Sequence, residues 1–157
     1  MKRSHLSIYA LLLVSAIAFV IFIIMAFGSH VPPSYPTNFV AGGKAFNITA
    51  VASNPAEWEH GLMNATVTNS TLMVFLFPNA SVYSFWMFDT HYPLDIIWIL
   101  DGRVVYIARD VPPCIGEPPS SCPLYTPTSA ANVVVEAEGG FAARNNISVG
   151  ERVSLSG

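Results

Sequence analysis

The sequence predicts a mainly β domain, a compact antiparallel sandwich or barrel-like fold with one or two short helices, preceded by a single N-terminal transmembrane helix. Three observations carry this. A 52% apolar content and mean hydropathy of +0.48 are high for a soluble domain, and the excess lies in one uncharged run. Beyond it, short β-branched and aromatic runs alternate with turn signals. Helix-capping patterns occur at only two places.

Leu6 to Phe27 contains no charge and only Ser7, Tyr9 and Ser15 as polar interruptions, so its 22 residues would make about 33 Å of helix and cross a bilayer. A secretory h-region is shorter, and Lys2 and Arg3 hold the N-terminus in the cytoplasm. Residues 1–28 therefore read as a signal anchor, with cleavage near Ala26-Phe27-Gly28 as the alternative. About 130 residues remain, enough for one domain and too few for a multidomain enzyme or a polytopic transporter. Outside the anchor, five basic residues face ten acidic ones, a balance near −5 that argues against nucleic acid as a partner.

An extracytoplasmic domain is also suggested by the sequons at Asn47, Asn64, Asn69, Asn79 and Asn146, where nine Asn would give about one or two by chance. The competing reading is that Asn, Ser and Thr merely replace charge on a polar surface. Residues 29–39, rich in Pro and without charge, read as an extended stalk at about 3 Å per residue. The β-rich domain is then 40–157.

Within it, Ala45 to Ala52 follows a Gly42-Gly43 turn. Asn54-Pro55-Ala56-Glu57 combines an N-cap, Pro at the first helical position and Glu at the third, opening a helix that ends near Gly61. Thr71 to Phe77 and Ser84 to Phe88 are apolar and aromatic. Asp95 to Leu100 and Arg103 to Arg109 flank Asp101-Gly102, the strongest hairpin signal in the chain. Asn132 to Glu138, a helical turn at Gly140 to Asn145, and Arg152 to Leu155 complete the set.

Phosphate loops, dinucleotide fingerprints, nucleophile elbows and zinc-protease helices are absent from the sequence, so no catalytic residue, cofactor or resident metal is assigned. The densest polar cluster is Trp86, Asp89, Thr90, His91 and Asp95 among aromatics. It suits ligand hydrogen bonding or acid/base work in an apolar notch. On that reading Asp89 and Asp95 approach each other across the Pro93 turn, with Arg103 or Arg109 offering compensating charge. The alternative is structural: Trp86, Met87 and Phe88 in the core, Asp89-Thr90 capping a turn, Asp95 bonded to backbone amides.

Gly61-Leu62-Met63, Phe85-Trp86-Met87-Phe88-Asp89-Thr90, Pro93-Leu94-Asp95, Asp101-Gly102-Arg103-Val104-Val105, Pro113-Cys114, Cys122-Pro123-Leu124-Tyr125 and Val149-Gly150-Glu151-Arg152-Val153 occur in an order that resembles domain-of-unknown-function family 192, also called uncharacterised protein family 0127. The likeness spans roughly Val40 to Leu155 and implies a compact β-rich domain, often exported or membrane-anchored, without an established activity. The family usually carries Asn where Asp89 stands, often has basic residues around Gly-Leu-Met, and spaces its cysteines more closely. Trp58-Glu59-His60 and Asn64 take the place of those basic residues here, which argues against an anion site. Glu117-Pro118-Pro119 looks like part of a loop insertion.

Cys114 and Cys122, close in sequence in an exported domain, are first a disulfide pair. The alternative is a Cu(I) site combining them with Met87 and His91. Met63 and Met87 read more simply as core, and His60 as a solvated cap. The favoured function is a membrane-anchored ligand-binding or accessory module of the cell envelope, single-pass with its domain outside the cytoplasm, partnered by the membrane and by a small polar ligand or an envelope protein. A structural or adhesion protein is the alternative, followed by a small hydrolase using Asp89, His91 or Asp95.

Overall fold

A computed structural model of the protein describes residues 34–157 and, before them, only Ile17 and Phe19. The expected anchor otherwise lies outside the described residues, as do residues 29–33 of the expected stalk. Among the described residues no helix is long and apolar enough to cross a membrane.

The compact unit begins at Tyr35. Eight strands form two sheets: β1 (Asn38–Ala41), β2 (Lys44–Asn47), β3 (Ala50–Ala52), β4 (Leu72–Ser81), β5 (Leu94–Leu100), β6 (Arg103–Val111), β7 (Ala131–Glu138) and β8 (Val153–Ser156). The smaller sheet has the order β2-β1-β8 and the larger β3-β4-β7-β5-β6. Neither closes into a barrel. The strand pairs are antiparallel, as expected, except that β3 runs parallel to β4 at the edge of the larger sheet. The reason is the helix α1 (Pro55–His60), which carries the chain back between them as a crossover.

Both helix expectations have counterparts. Asn54 Oδ1 accepts from Glu57 N–H at 3.2 Å, and Glu57 returns its carboxylate to Ser53 N–H at 2.6 Å, closing the N-terminus of α1. α2 is one turn, Phe141–Arg144. Asp101 and Gly102 both take positive φ, 47° and 75°, as the β5–β6 hairpin turn demands.

Three strand expectations change. Ala45 to Ala52 divides into β2 and β3, which belong to different sheets. Asn38 and Phe39, expected in the stalk, open β1, the middle strand of the smaller sheet. Ser84 to Phe88 is not a strand; it makes only isolated bridges, Phe85 to Tyr125 and Phe88 to Cys114. Its apolar side chains cover a sheet face instead of joining a ladder.

That cover explains why the first half of β4, almost all of β5 and the second half of β7 are buried. One face of the larger sheet, with Val74, Ile97 and Val135, packs on Phe39, Phe141 and Val153 from the smaller sheet and α2. The other, with Phe75, Ile96, Trp98 and Val134, is covered by Leu62, Phe85, Met87 and the two cysteines. Strands buried on both faces lose the apolar–polar alternation.

Candidate functional site

Strand parity separates the two acids of the sequence cluster. Leu94, Ile96 and Trp98 face the Phe85–Met87 layer, whereas Ile97 and Ile99 face the smaller sheet, and Asp95 goes with the latter. Fully buried, it accepts from Asp110 N–H at 2.7 Å, Gly140 N–H at 3.1 Å and Ala142 N–H at 2.7 Å. One carboxylate thus ties the end of β6 to the start of α2, satisfying amides that would otherwise be orphaned.

Asp89 lies on the other side, at φ 50°. Its N–H donates to Cys114 O at 3.0 Å and its carbonyl accepts from Asn64 N–H at 2.8 Å, while its carboxylate bonds none of the described residues. The structure does not bring Asp89 and Asp95 together. Arg109 donates instead to Ile147 O at 2.8 Å and Arg103 to Gly150 O. His91 is exposed, its Nε2 3.1 Å from Asn64 Oδ1. Cys114 and Cys122 are bonded to each other, so the Cu(I) alternative loses both thiolates. Met87 is fully buried core. All five sequon asparagines are exposed.

Trp86 and Thr90, by contrast, line a site whose central residue the sequence reading passed over. Glu136 sits on β7 between Met73 of β4 and Ile96 of β5. Only 3% of it is exposed, and its Oε2 has no hydrogen-bond partner. Loss of hydration disfavours the charged form, and burial pushes the carboxyl up from 4.5 to about 8. A signal was present: one acid between Val135 and Ala137 in an otherwise apolar run.

Above Glu136 the chain passes at Gly61, where α1 ends with φ 49°. A Cβ there would lie 3.5 Å from Oε2 and 3.4 Å from the Phe75 ring, so the position combines a close approach with a backbone that favours glycine. The adjoining space is a neck of about 20 Å³ bounded by Gly61, Leu62, Met63, Phe75, Thr90 and Glu136. Through the shared walls Trp58, Glu59, Phe85 and Trp86 it borders a cleft of about 350 Å³, completed by Phe77, Tyr83, Ser84 and Leu124.

The aromatic walls are fixed from behind. Phe77 stacks on Tyr83 at 3.7 Å, Trp58 packs on Phe77 at 4.9 Å, and Phe85 meets Phe75 edge-on at 4.9 Å. Trp58 Nε1–H donates to Ala52 O and Tyr83 O–H to Asn79 O, which uses their polar edges within the protein. Phe85 exchanges two backbone bonds with Tyr125, at 2.9 and 2.7 Å, and Met87 O accepts from Cys114 N–H at 3.2 Å. The Cys114–Cys122 bond, with Cα atoms 5.9 Å apart, joins these two clamps into one strap behind the Phe85–Trp86 wall.

The family model described as DUF192, Uncharacterized ACR, matches residues 38–155, from the first residue of β1 to the middle of β8. The chain belongs to the DUF192 family. The match takes in both sheets, the Gly61 passage, the disulfide strap and Glu136. Among solved structures, a proposed transcription regulator from Sinorhizobium meliloti 1021 superimposes with a TM-score of 0.64 at 24% identity, covering 79% of this chain and 97% of that one. A protein of unknown function from Novosphingobium aromaticivorans DSM 12444 gives the same TM-score at 26% identity, covering 82% and 96%. These likenesses support the fold described above. No curated protein matches the chain.

Proposed function

We propose that this DUF192 domain is a small-molecule-binding module of the cell envelope, with the aromatic cleft that adjoins the Glu136 neck as its site. The observation that carries the reading is the unpartnered Oε2 of Glu136, buried at a neck that shares four wall residues with a cleft large enough for a small organic molecule. Leaving a buried polar group unsatisfied costs about 1–3 kcal/mol, so such groups are rare in folded proteins, and a ligand atom that meets Oε2 would remove the cost here. The walls favour the same reading, because aromatic faces in a clamped cleft bind at little further cost in ordering. Neither adhesion nor hydrolysis is favoured by any comparable feature.

Placement outside the cytoplasm, tethered by Leu6 to Phe27, is part of this proposal. It is supported by the disulfide, the Lys2 and Arg3 flank and the exposed sequons. Retention of native protein in carbonate-washed membranes would support the tether, and a mature N-terminus at Ser29 would remove it.

The test of the site is a fragment screen by protein-observed NMR on wild type and Trp86→Ala. Binding is expected to shift signals from Phe77, Tyr83, Phe85 and Glu136, and the substitution is expected to weaken it about tenfold, the value of one buried aromatic contact. Hits that ignore Trp86→Ala, or the absence of hits at millimolar concentration, would refute the reading.

A further inference from the structure

We infer that the ligand is a protonated primary amine carried on an apolar or aromatic framework, its ammonium seated in the neck against Glu136 and its framework against Trp58 and Trp86. The inference rests on the reading of the cleft as a ligand site. It adds the ligand's charge and shape.

Charge comes first. Among the residues lining cleft and neck, Glu59 and Glu136 are acidic, there is no Lys or Arg, and His60 is the one imidazole. With Glu59 at the shared wall and Glu136 able to ionise beside a cation, such a lining disfavours carboxylates and phosphates and favours a cation. Aromatic faces add to this, since a cation held over Trp or Phe gains from the ring quadrupole, and more when it is desolvated.

Size comes second. The neck of about 20 Å³ is close to the least that holds one water, so it admits a group with one non-hydrogen atom, such as –NH₃⁺. A quaternary ammonium is too wide to enter. The wider cleft, about 350 Å³, takes the framework.

Proton balance follows. In the free protein Glu136 holds its proton at neutral pH, because burial raises its carboxyl to about 8. An ammonium beside Oε2 restores the charged form, and the displaced proton leaves to solvent. From α1, Glu59 borders both cleft and neck and His60 borders the neck; β4, β5 and the 85–90 segment present Phe75, Ile96, Phe85, Trp86 and Thr90, all neutral. Asp89 and His91 are outside the lining.

The experiment is calorimetry at pH 6, 7 and 8 in buffers of different ionisation enthalpy. It uses phenethylammonium, its neutral isostere 2-phenylethanol, and tetramethylammonium. Wild type is expected to prefer phenethylammonium about tenfold or more over the other two and to release close to one proton per ligand at pH 7. Affinity is expected to rise about tenfold from pH 6 to 7, as for one coupled proton. Glu136→Gln should abolish both the preference and the proton release; Glu59→Gln should keep the release. Equal binding of 2-phenylethanol without proton release overturns the amine while leaving the cleft a ligand site. Binding of none of the three also overturns it, and the fragment screen then decides separately whether the cleft binds anything.

Discussion

Glu136→Gln changes one atom of a buried side chain and should change how stability depends on pH. In the folded protein the carboxyl titrates at about 8, and in the unfolded chain near 4.5. Between these values the unfolded chain has released a proton that the folded one keeps, so stability falls as pH rises through the window. Below 4.5 both forms are protonated and nothing is lost. Each unit is worth about 1.4 kcal/mol, so the wild type should lose about 3 kcal/mol between pH 5 and 8 through this group alone. Glu57 acts in another window with the opposite sign. The Ser53 N–H holds its carboxyl below the usual value, so its support is present at neutral pH and is lost only as pH falls below about 4.5. Urea unfolding of both proteins at pH 5, 6, 7 and 8 isolates the Glu136 contribution, because every other titrating group is common to both. The variant should gain on the wild type by about 3 kcal/mol across the series. Stability curves that stay parallel within about 0.5 kcal/mol would refute the buried, unpaired state of this carboxyl.

Other substitutions test the surrounding frame. Asp95→Asn leaves an amide nitrogen facing backbone N–H groups in place of an accepting oxygen, and should cost about 1–3 kcal/mol in urea unfolding without altering ligand binding. Asp89→Asn keeps a residue tolerant of φ 50° and touches no side-chain bond, so its stability should stay within about 0.5 kcal/mol of wild type. Replacing both Cys114 and Cys122 by Ser frees a short loop and should cost roughly 2.5 kcal/mol by the chain-entropy model. The same double variant should bind cleft ligands more weakly, seen by NMR titration, because the strap behind Phe85 and Trp86 is loosened.

The features legible in the sequence are those with a strict local requirement. Asp101-Gly102 announced its hairpin because two successive positive φ values suit few residue pairs, and Asn54-Pro55-Ala56-Glu57 announced α1 because its polar atoms must meet the first free amides. The Cys114–Cys122 pair was legible from spacing and context. Burial of the larger sheet on both faces hid the rest. β4 and β5 are apolar without alternation, and so is the 84–88 segment that covers them, which made a covering loop read as a strand. β1 looked like stalk because Pro33 and Pro36 precede it and, although β2 follows directly across the Gly42-Gly43 turn, its other partner β8 lies at the far end of the sequence. The same burial divides the residues of the sequence cluster. Asp89 and Asp95 are near in sequence, yet one residue of strand parity sends Asp95 to the opposite face. Glu136 reaches Trp86 and Gly61 only through the β4–β7–β5 register, and no local pattern encodes that.

The carboxyl signal of Glu136, followed by carbon-13 NMR through the pH range with and without phenethylammonium, joins the burial, the cleft and the ligand in one observation. In the free protein it should titrate at about 8, and with saturating ligand its midpoint should fall below 7, because the ammonium stabilises the charged form. A midpoint near 4.5 in the free protein, or one that saturating phenethylammonium leaves unmoved, would contradict a buried acid waiting for a cation.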